Sequence, residues 1–284
     1  MAQGKELTAP VKLALFGQPI KSSLSPAIHR MFADQLGLSI SYQLIETGAE
    51  GFPGALENFR LSGGFGCNVT LPLKRDAWQL AAQASKEVNQ AQAANTLNYQ
   101  SPSGWFANTT DGLGLVTDLS VNHGIALKGQ RILILGAGGA TASVLGSLLE
   151  RNPKQVLLIN RNLDRARVLV ARFGASKSLS VSGWADLSAQ GGFDLVINAT
   201  SLGHHGDAPD LSRSLFAPKA VCYDLNYYKA SLPLKNLCES MGQLYVDGLG
   251  MLVEQAAASF YIWTGKRPDS RAVIETFRDD SNLS

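Results

Sequence analysis

Arg131-Ile-Leu-Ile-Leu-Gly-Ala-Gly-Gly-Ala-Thr-Ala-Ser143 is the stretch on which the fold turns. Ile132 to Leu135 are apolar without a break, as in a strand covered on both faces of a parallel sheet. Gly136, Gly138 and Gly139, with Ala137 and Ala140 between and after them, allow a tight turn and a close approach of backbone to ligand. Ala142, Val144, Leu145, Leu148 and Leu149 then recur at helical spacing. Strand, glycine turn and helix start together form an anion site, because unpaired backbone N–H groups and the helix dipole both point at a phosphate. A turn with no ligand would carry the same glycines. Thr141 also stands where G-x-G-x-x-G has its last glycine or an alanine, so the motif alone is weak. Context strengthens it. A second strand, Gln155-Val-Leu-Leu-Ile-Asn160, follows about 20 residues after the glycines, as a dinucleotide fold requires.

The end of that second strand separates the two nicotinamide cofactors. An Asp or Glu there would accept from the ribose 2′-hydroxyl of NAD. This chain reads Asn160-Arg161-Asn162-Leu163-Asp164-Arg165. Asp164 comes late for the ribose, whereas Arg161 and Arg165 suit a 2′-phosphate that a guanidinium grips in bidentate fashion. The same two arginines could also form a plain solvated face. The balance favours NADP, because the acid that NAD needs is missing.

Working outward, strands are expected near 131–135, 156–160, 194–198, 221–225 and 243–246, alternating with helices. That is a doubly wound parallel sheet of the Rossmann type. Asn198-Ala-Thr-Ser-Leu-Gly203 ends its third strand, where such sheets bind ligand, and places Thr200 there. His204 and His205 in the same loop read as exposed. Before the glycine turn, Val11–Phe16 reads as a strand, Ser25 and Pro26 as the N-cap and first residue of a helix, and Phe52–Leu61 as a helix. A strand over Phe65–Val69, a helix from near Pro72, a hairpin across Ser101-Pro-Ser-Gly104 and a helix from Leu113 to Val121 complete this half. Helices from Met251 to about Gly265 and from Ser270 to about Phe277 close the chain. The fold class is α/β, with an N-terminal α/β substrate and catalytic domain over 1–112. The dinucleotide domain spans 113–247, and C-terminal helices occupy 248–284. Residues 1–10 read as a loose leader.

The 284 residues are 45% hydrophobic and 17% charged, an ordinary globular balance. A net charge of +2 with no basic run argues against a nucleic-acid partner. No apolar run reaches the ~18 residues of a membrane span, and the start lacks the core of a signal peptide. Cys67, Cys222 and Cys238 show neither metal spacing nor a disulfide framework, so no metal is expected and a reducing cytoplasm is the default.

A nicotinamide enzyme needs a group that exchanges a proton as hydride moves, and donors that hold the substrate. Lys74 is a candidate, in the first turn of a helix where the dipole disfavours a positive charge; an unselected lysine would be a solvated one. Asp111 is its natural companion, although a turn aspartate would look the same. An ammonium and a carboxylate converging on one hydroxyl could bind it and move its proton. Ser23 and Ser25 offer hydroxyls beside a helix N-terminus, a seat for a carboxylate. Thr70, Asn95 and Gln255 can each hydrogen-bond hydroxyls.

The chain resembles the shikimate dehydrogenase family from about residue 11 to 277. The resemblance rests on Pro19-Ile-Lys-Ser-Ser-Leu-Ser-Pro26, Asn68-Val-Thr-Leu-Pro-Leu-Lys74, Ala94-Asn-Thr96, Thr110-Asp-Gly112, Gly136-Ala-Gly-Gly-Ala140, Asn160-Arg-Asn162, Asn198-Ala-Thr-Ser201 and Asp247-Gly-Leu-Gly-Met-Leu-Val-Glu-Gln-Ala256. It implies NADPH-dependent reduction of 3-dehydroshikimate to shikimate. It also implies Lys74 and Asp111 as the catalytic pair, and Ser23 and Ser25 on the substrate carboxylate. Thr70, Asn95, Tyr227 and Gln255 are the further substrate contacts it implies. The cofactor contacts are the glycine turn, Asn160, Arg161, Asn162, Arg165 and Thr200, with Leu225 and Gly248 beside the nicotinamide. The helix after Gly248 is expected to return to the first domain and turn Gln255 to the cleft. Three departures stand out: Asn162 replaces the family's threonine, no arginine follows the glycine turn, and Leu24 replaces a common lysine. Alternatives are a quinate/shikimate paralogue preferring NAD and a non-catalytic sensor. The chain is expected to work as a monomer or homodimer.

Overall fold

The computed structural model describes residues 9–174 and 176–279; most of the expected leader lies outside them. Among the described residues, no helix is long and apolar enough to cross a membrane. The strands are β1 (Val11–Gly17), β2 (Ile40–Glu46), β3 (Gly64–Val69), β4 (Gln83–Ala84), β5 (Thr96–Gln100), β6 (Gly104–Asn108), β7 (Arg131–Leu135), β8 (Gln155–Ile159), β9 (Leu179–Ser182), β10 (Phe193–Asn198), β11 (Phe216–Asp224) and β12 (Leu244–Val246). The α-helices are α1 (Ser25–Leu36), α2 (Phe52–Leu61), α3 (Lys74–Leu80), α4 (Lys86–Ala91), α5 (Asp111–Thr117), α6 (Gly139–Leu149), α7 (Leu163–Ala171), α8 (Leu232–Ser240), α9 (Leu249–Thr264) and α10 (Ser270–Asp279).

The strands form two six-stranded sheets. The C-terminal sheet has the order β12-β11-β10-β7-β8-β9 with every pairing parallel. This is the doubly wound order, with its reversal between β7 and β10. The quoted strand shows why it sits in the middle. Ile132 and Ile134 join Leu115 and Leu119 from the α5 side and Val144 and Leu148 of α6 in one core. Leu133 and Leu135 join Leu234 and Cys238 of α8 in another. All four strand residues are fully buried, each stabilising the fold by about 1.5–3 kcal/mol.

The N-terminal sheet runs β2-β1-β3-β5-β6-β4 and is mixed. β1 is parallel to β2 and β3, whereas β5 is antiparallel to both β3 and β6. Phe52, Leu56 and Phe59 of α2 pack on Phe16, Cys67 and Trp105. Ile28 and Phe32 of α1 pack on Val253 and Phe260 of α9 and Val273 and Phe277 of α10. The last two helices therefore complete the core of the first sheet.

Several expectations change. β9 was not foreseen, because Leu-Ser-Val-Ser is short and half polar at a sheet edge, and neither was β4. Ser25 is not the N-cap of α1: that position is Leu24, without a side-chain cap, and Pro26 follows Ser25 inside the helix. α3 begins at Lys74 rather than near Pro72, which precedes it in a turn. α5 begins at Asp111 rather than Leu113 and passes into a π-turn over Asp118–Asn122.

Candidate active site

One edge of the N-terminal sheet gathers the polar residues. β3 ends at Val69, and Thr70 and a short turn lead to Lys74 at the start of α3. Because β5 runs antiparallel to β3, its beginning lies at the same edge, with Thr96 opposite Asn68. β6 ends there too, and two threonines lead to Asp111 at the start of α5. Lys74 Nζ and Asp111 Oδ2 consequently stand 2.6 Å apart, with side chains 15% and 9% exposed. Removing one partner from so buried a pair strands the other charge.

Asn95 sets the carboxylate. Its Oδ1 accepts from the Thr110 backbone N–H at 2.8 Å, so its Nδ2 faces the other way. That amide donates to Asp111 Oδ1 at 2.8 Å, with Thr110 Oγ1 at 2.8 Å and Gln255 Oε1 at 3.1 Å. Two hydrogens thus face three acceptors. The arrangement orders Asp111 and brings Gln255, from α9, to the same point. Behind it, Asn68 Nδ2 donates to Ser259 Oγ at 3.0 Å, and Ser259 Oγ lies 2.7 Å from Thr96 Oγ1. Asn68 Oδ1 accepts from Tyr42 at 2.8 Å and meets His29 Nε2 at 3.1 Å. His29 is fully buried and stacked on Tyr42, and burial lowers its pKa to about 3, against the Asn68 hydrogen bond. It is a neutral ring whose Nδ1 has no partner among the described residues.

Ser23 Oγ donates to Ser25 Oγ at 3.1 Å and accepts from the Ser25 N–H at 3.2 Å. Tyr42 also hydrogen-bonds Ser25, which ties this pair to the Asn68 network. Leu24 and Tyr227 pack against the same cluster of α1 and α9 side chains. Burial raises the Tyr227 pKa, keeping its hydroxyl protonated. Thr70 is half-buried, held by its N–H to Phe16 O at 2.9 Å.

The C-terminal sheet presents its carboxyl ends differently. Gly136 has φ +102°, a conformation that favours glycine, and Gly138 precedes the first turn of α6. A Cβ on Gly138 or Gly139 would meet nothing within 4 Å, so space in front of the turn is open. Thr141 is fully buried and donates to Gly136 O at 2.7 Å, locking the turn where the motif's last glycine would have packed. Asn160 Oδ1 accepts from Ala137 N–H at 3.1 Å, and its Nδ2 donates to Asn162 O at 2.7 Å. Asn162 caps α7 by accepting from Arg165 N–H at 3.0 Å. Arg161 and Arg165 are exposed, and among the described residues neither makes an ion pair. Asp164 is engaged by Arg167 at 3.1 Å. The open turn, the absent ribose acid and two unengaged guanidiniums fit a dinucleotide carrying a 2′-phosphate.

At the neighbouring strand ends, Thr200 donates through N–H and Oγ1 to Asn198 Oδ1, at 3.1 and 2.7 Å. Asn198 Nδ2 donates to the buried Asp224 at 2.9 Å, which also accepts from the Asn226 N–H at 3.0 Å. Burial raises the Asp224 pKa to about 6 against these donors. Leu225 N–H donates to Asn198 O at 2.9 Å, and Gly248 N–H to Asn226 O at 2.9 Å, so both are fixed beside this carboxylate. His204 and His205 are exposed, as expected.

The structure thus brings Lys74, Asp111, Asn95 and Gln255 into one network, and Ser23 and Ser25 into a second one joined to it. Sequence reading missed the supporting residues. Asn68 stands on a strand between Cys67 and Val69, and Ser259 lies one helical turn beyond Gln255; polar residues at such apolar positions were the available signal.

A family model described as the shikimate dehydrogenase substrate binding domain matches residues 15–97. Models described as shikimate/quinate 5-dehydrogenase and as the shikimate 5′-dehydrogenase C-terminal domain match 119–205 and 248–276. A shikimate dehydrogenase (NADP(+)) of Alkalilimnicola ehrlichii is 46% identical over 95% of this chain and 99% of its own. The chain belongs to the shikimate dehydrogenase family. One of Coxiella burnetii is 42% identical over 93% of this chain and 97% of its own. Among solved structures, the shikimate 5-dehydrogenase of Thermus thermophilus in complex with NADP(H) and shikimate has a TM-score of 0.80 and 32% identity. It covers 94% of this chain and 98% of its own. An Ael1 enzyme from Pseudomonas putida has a TM-score of 0.85 and 36% identity, covering 94% and 97%.

Proposed function

We infer that this chain catalyses the reversible, NADP-dependent reduction of 3-dehydroshikimate to shikimate. The observation that carries the reading is the Lys74–Asp111 pair at 2.6 Å, flanked by Asn95 and Gln255, in a chain of this family. Residues 1–112 supply the substrate site, 113–247 the dinucleotide site, and the helices from 248 onward return Gln255 to the first.

Ser23 and Ser25, with Tyr227, receive the substrate carboxylate through their hydroxyls. Thr70, Asn95 and Gln255 hold its ring hydroxyls. An ammonium has three donors. One of Lys74's is taken by Asp111, which leaves two for the oxygen on C3. When bound, NADPH supplies the hydride that C3 accepts. Lys74 gives its proton to the oxygen as charge develops there, and Asp111 holds the amine in place and accepts from it. In the reverse direction Lys74 takes the hydroxyl proton. On the other side, the Gly136–Ala140 turn receives the pyrophosphate: the Gly136 and Ala137 N–H groups are held by Ile159 O and Asn160 Oδ1, and those of Gly138 to Ala140 face the anion, with Asn160 and Asn162 shaping the rim. Arg161 and Arg165 grip the 2′-phosphate. Thr200, Leu225 and Gly248 border the nicotinamide.

The three buried cysteines are free, which suits a reducing cytoplasm. Quinate is the alternative substrate; monomer and homodimer both suit the chain. Initial rates of the purified protein with shikimate or quinate, each with NADP or NAD, test the reading. The highest kcat/KM is expected for shikimate with NADP. No turnover of shikimate with either nucleotide would overturn it, and equal or better rates with quinate and NAD would move the chain to the paralogue class.

A further inference from the structure

One face of α5, continued by the first residue of the π-turn that follows it, joins the two halves of this site. Asp111, Gly114 and Asp118 are spaced three and four apart and share that face. α9 lies directly against it. A Cβ on Gly114 would stand 2.8 Å from Gln255 Cβ, and one on Gly250 would run into the Asp118 carboxylate. No side chain tolerates either contact, so the two glycines let the helices touch. Gln255 lies at the Asp111 end of the seam and Gly250 at the Asp118 end.

Asp118 is 1% exposed. Its Oδ2 accepts from the Tyr223 hydroxyl at 2.6 Å, and its Oδ1 from Asn122 Nδ2 at 2.8 Å. His123 Nε2 lies 3.7 Å from Oδ1. The Tyr223 oxygen also hydrogen-bonds the backbone of Met251, in the first turn of α9. Burial, with Asp118 beside it, pushes the phenol pKa up, so Tyr223 stays a donor. Tyr223 is in β11, two residues before Leu225. Asn122 reaches α9 as well, through Glu254 Oε1 at 3.1 Å. Three elements therefore converge on one buried carboxylate beside a helix N-terminus, where the dipole favours negative charge. The proton and hydride steps described above do not use it.

We propose that Asp118 is a positioning residue for hydride transfer. Through Tyr223 and the Gly250 backbone it fixes the register of α9 on α5. Gln255, Gly248 and Leu225 are thereby held at a set separation from Asp111. The inference rests on the dehydrogenase reading. A small misalignment between bound reactants slows the chemical step while leaving their binding contacts in place.

The test compares wild type with Tyr223→Phe and Asp118→Asn, each checked for folding by thermal melt. Turnover is followed with NADP and shikimate, either unlabelled or deuterated at C3. The expected result is a kcat lowered about tenfold or more, with KM for shikimate and NADP changed less than about threefold. The isotope effect on kcat is expected to rise, because hydride transfer becomes slower than product release. A folded variant with wild-type kcat and isotope effect, or one altered in KM alone, overturns the proposal. If both variants fail to fold, Asn122→Ala removes a surface donor to the same carboxylate. A smaller rise in isotope effect then supports the proposal and none overturns it. An inert wild type overturns the functional reading and this inference together; an active wild type beside unimpaired variants overturns this inference alone.

Discussion

The two sheets present their ligand-facing edges in opposite ways. The N-terminal edge is made of side chains that bind one another before any ligand arrives: Lys74 to Asp111, Asn95 to Asp111 and Gln255, Asn68 to Ser259. The C-terminal edge is made of backbone, with open space before Gly138 and Gly139 and two arginines in solvent. A preorganised network suits chemistry, where donors must already point at the developing charge. An open rim of N–H groups suits a large anionic cofactor that enters and leaves each cycle. Mutations at the first edge should therefore cost rate and stability, and mutations at the second should cost cofactor affinity.

The contrast is broken most severely at Lys74. Lys74→Ala is expected to lower kcat on the order of a thousandfold, the range of a lost acid–base group, while NADP binding measured by fluorescence stays as in wild type. Loss of NADP binding as well would erase the division between the edges. The mirror experiment is the double variant Arg161→Ala, Arg165→Ala. Its KM for NADP should rise about tenfold to a hundredfold, as for lost charge-assisted hydrogen bonds, with kcat and the KM for NAD little changed. An equal rise for NAD would mean that the arginines do not read the 2′-phosphate.

Acid sharpens the comparison, because His29 in one lobe and Asp224 in the other are buried with opposite responses. For His29 the folded value, about 3, lies below its ordinary 6.5. The unfolded chain takes up a proton first, so the stability this group permits is complete above 6.5. It is lost by up to about 1.4 kcal/mol per pH unit as pH falls toward 3. For Asp224 the folded value, about 6, lies above 3.8. Its burial penalty is full above about 6 and is relieved as pH falls toward 3.8. Between about pH 6 and pH 4, hydrogen exchange should therefore speed up in β3 and β5 relative to β10 and β11. Parallel changes in both sheets would contradict this. The smallest effect is expected for Ser259→Ala, which removes the nearest of three acceptors facing Asn68 Nδ2 and leaves the two longer ones, Asn95 O at 3.2 Å and Thr96 Oγ1 at 3.3 Å. A loss of about 1 kcal/mol in denaturant unfolding, with near-normal KM for NADP, is the expected outcome.

Much of the C-terminal lobe was legible because its signals are local. A strand apolar on both faces, a glycine turn and the start of a helix sit within thirteen consecutive residues, and the missing acid after β8 is read at one place. The N-terminal site was legible from the residues only as separate candidates, such as Lys74, Asp111 and Gln255, which the family resemblance joined. Lys74 and Asp111 are 37 residues apart, and nothing in the periodicity around either tells which strands will pair. Antiparallel pairing of β5 brings Asn95 to them, and a helix from the far end of the chain brings Gln255 and Ser259. The Ser25 cap was misread for a related reason. A serine before proline suits a cap locally, but here its hydroxyl is engaged with Ser23 and Tyr42.

The position of α9 and α10 has a consequence for how the protein is made. Ile28 and Phe32 leave the ribosome before the whole of the glycine-turn lobe, yet Val253, Phe260, Val273 and Phe277, which cover them, leave only after it. The glycine-turn lobe, by contrast, draws its sheet from one uninterrupted stretch, 131–246. During translation, then, the half synthesised first must wait with an apolar flank uncovered while the half synthesised second closes around its own core. Stalling or cleaving the chain shortly after Val246 would leave a competent nucleotide-binding lobe tethered to an unfinished, sticky neighbour, the kind of nascent species that chaperones shield.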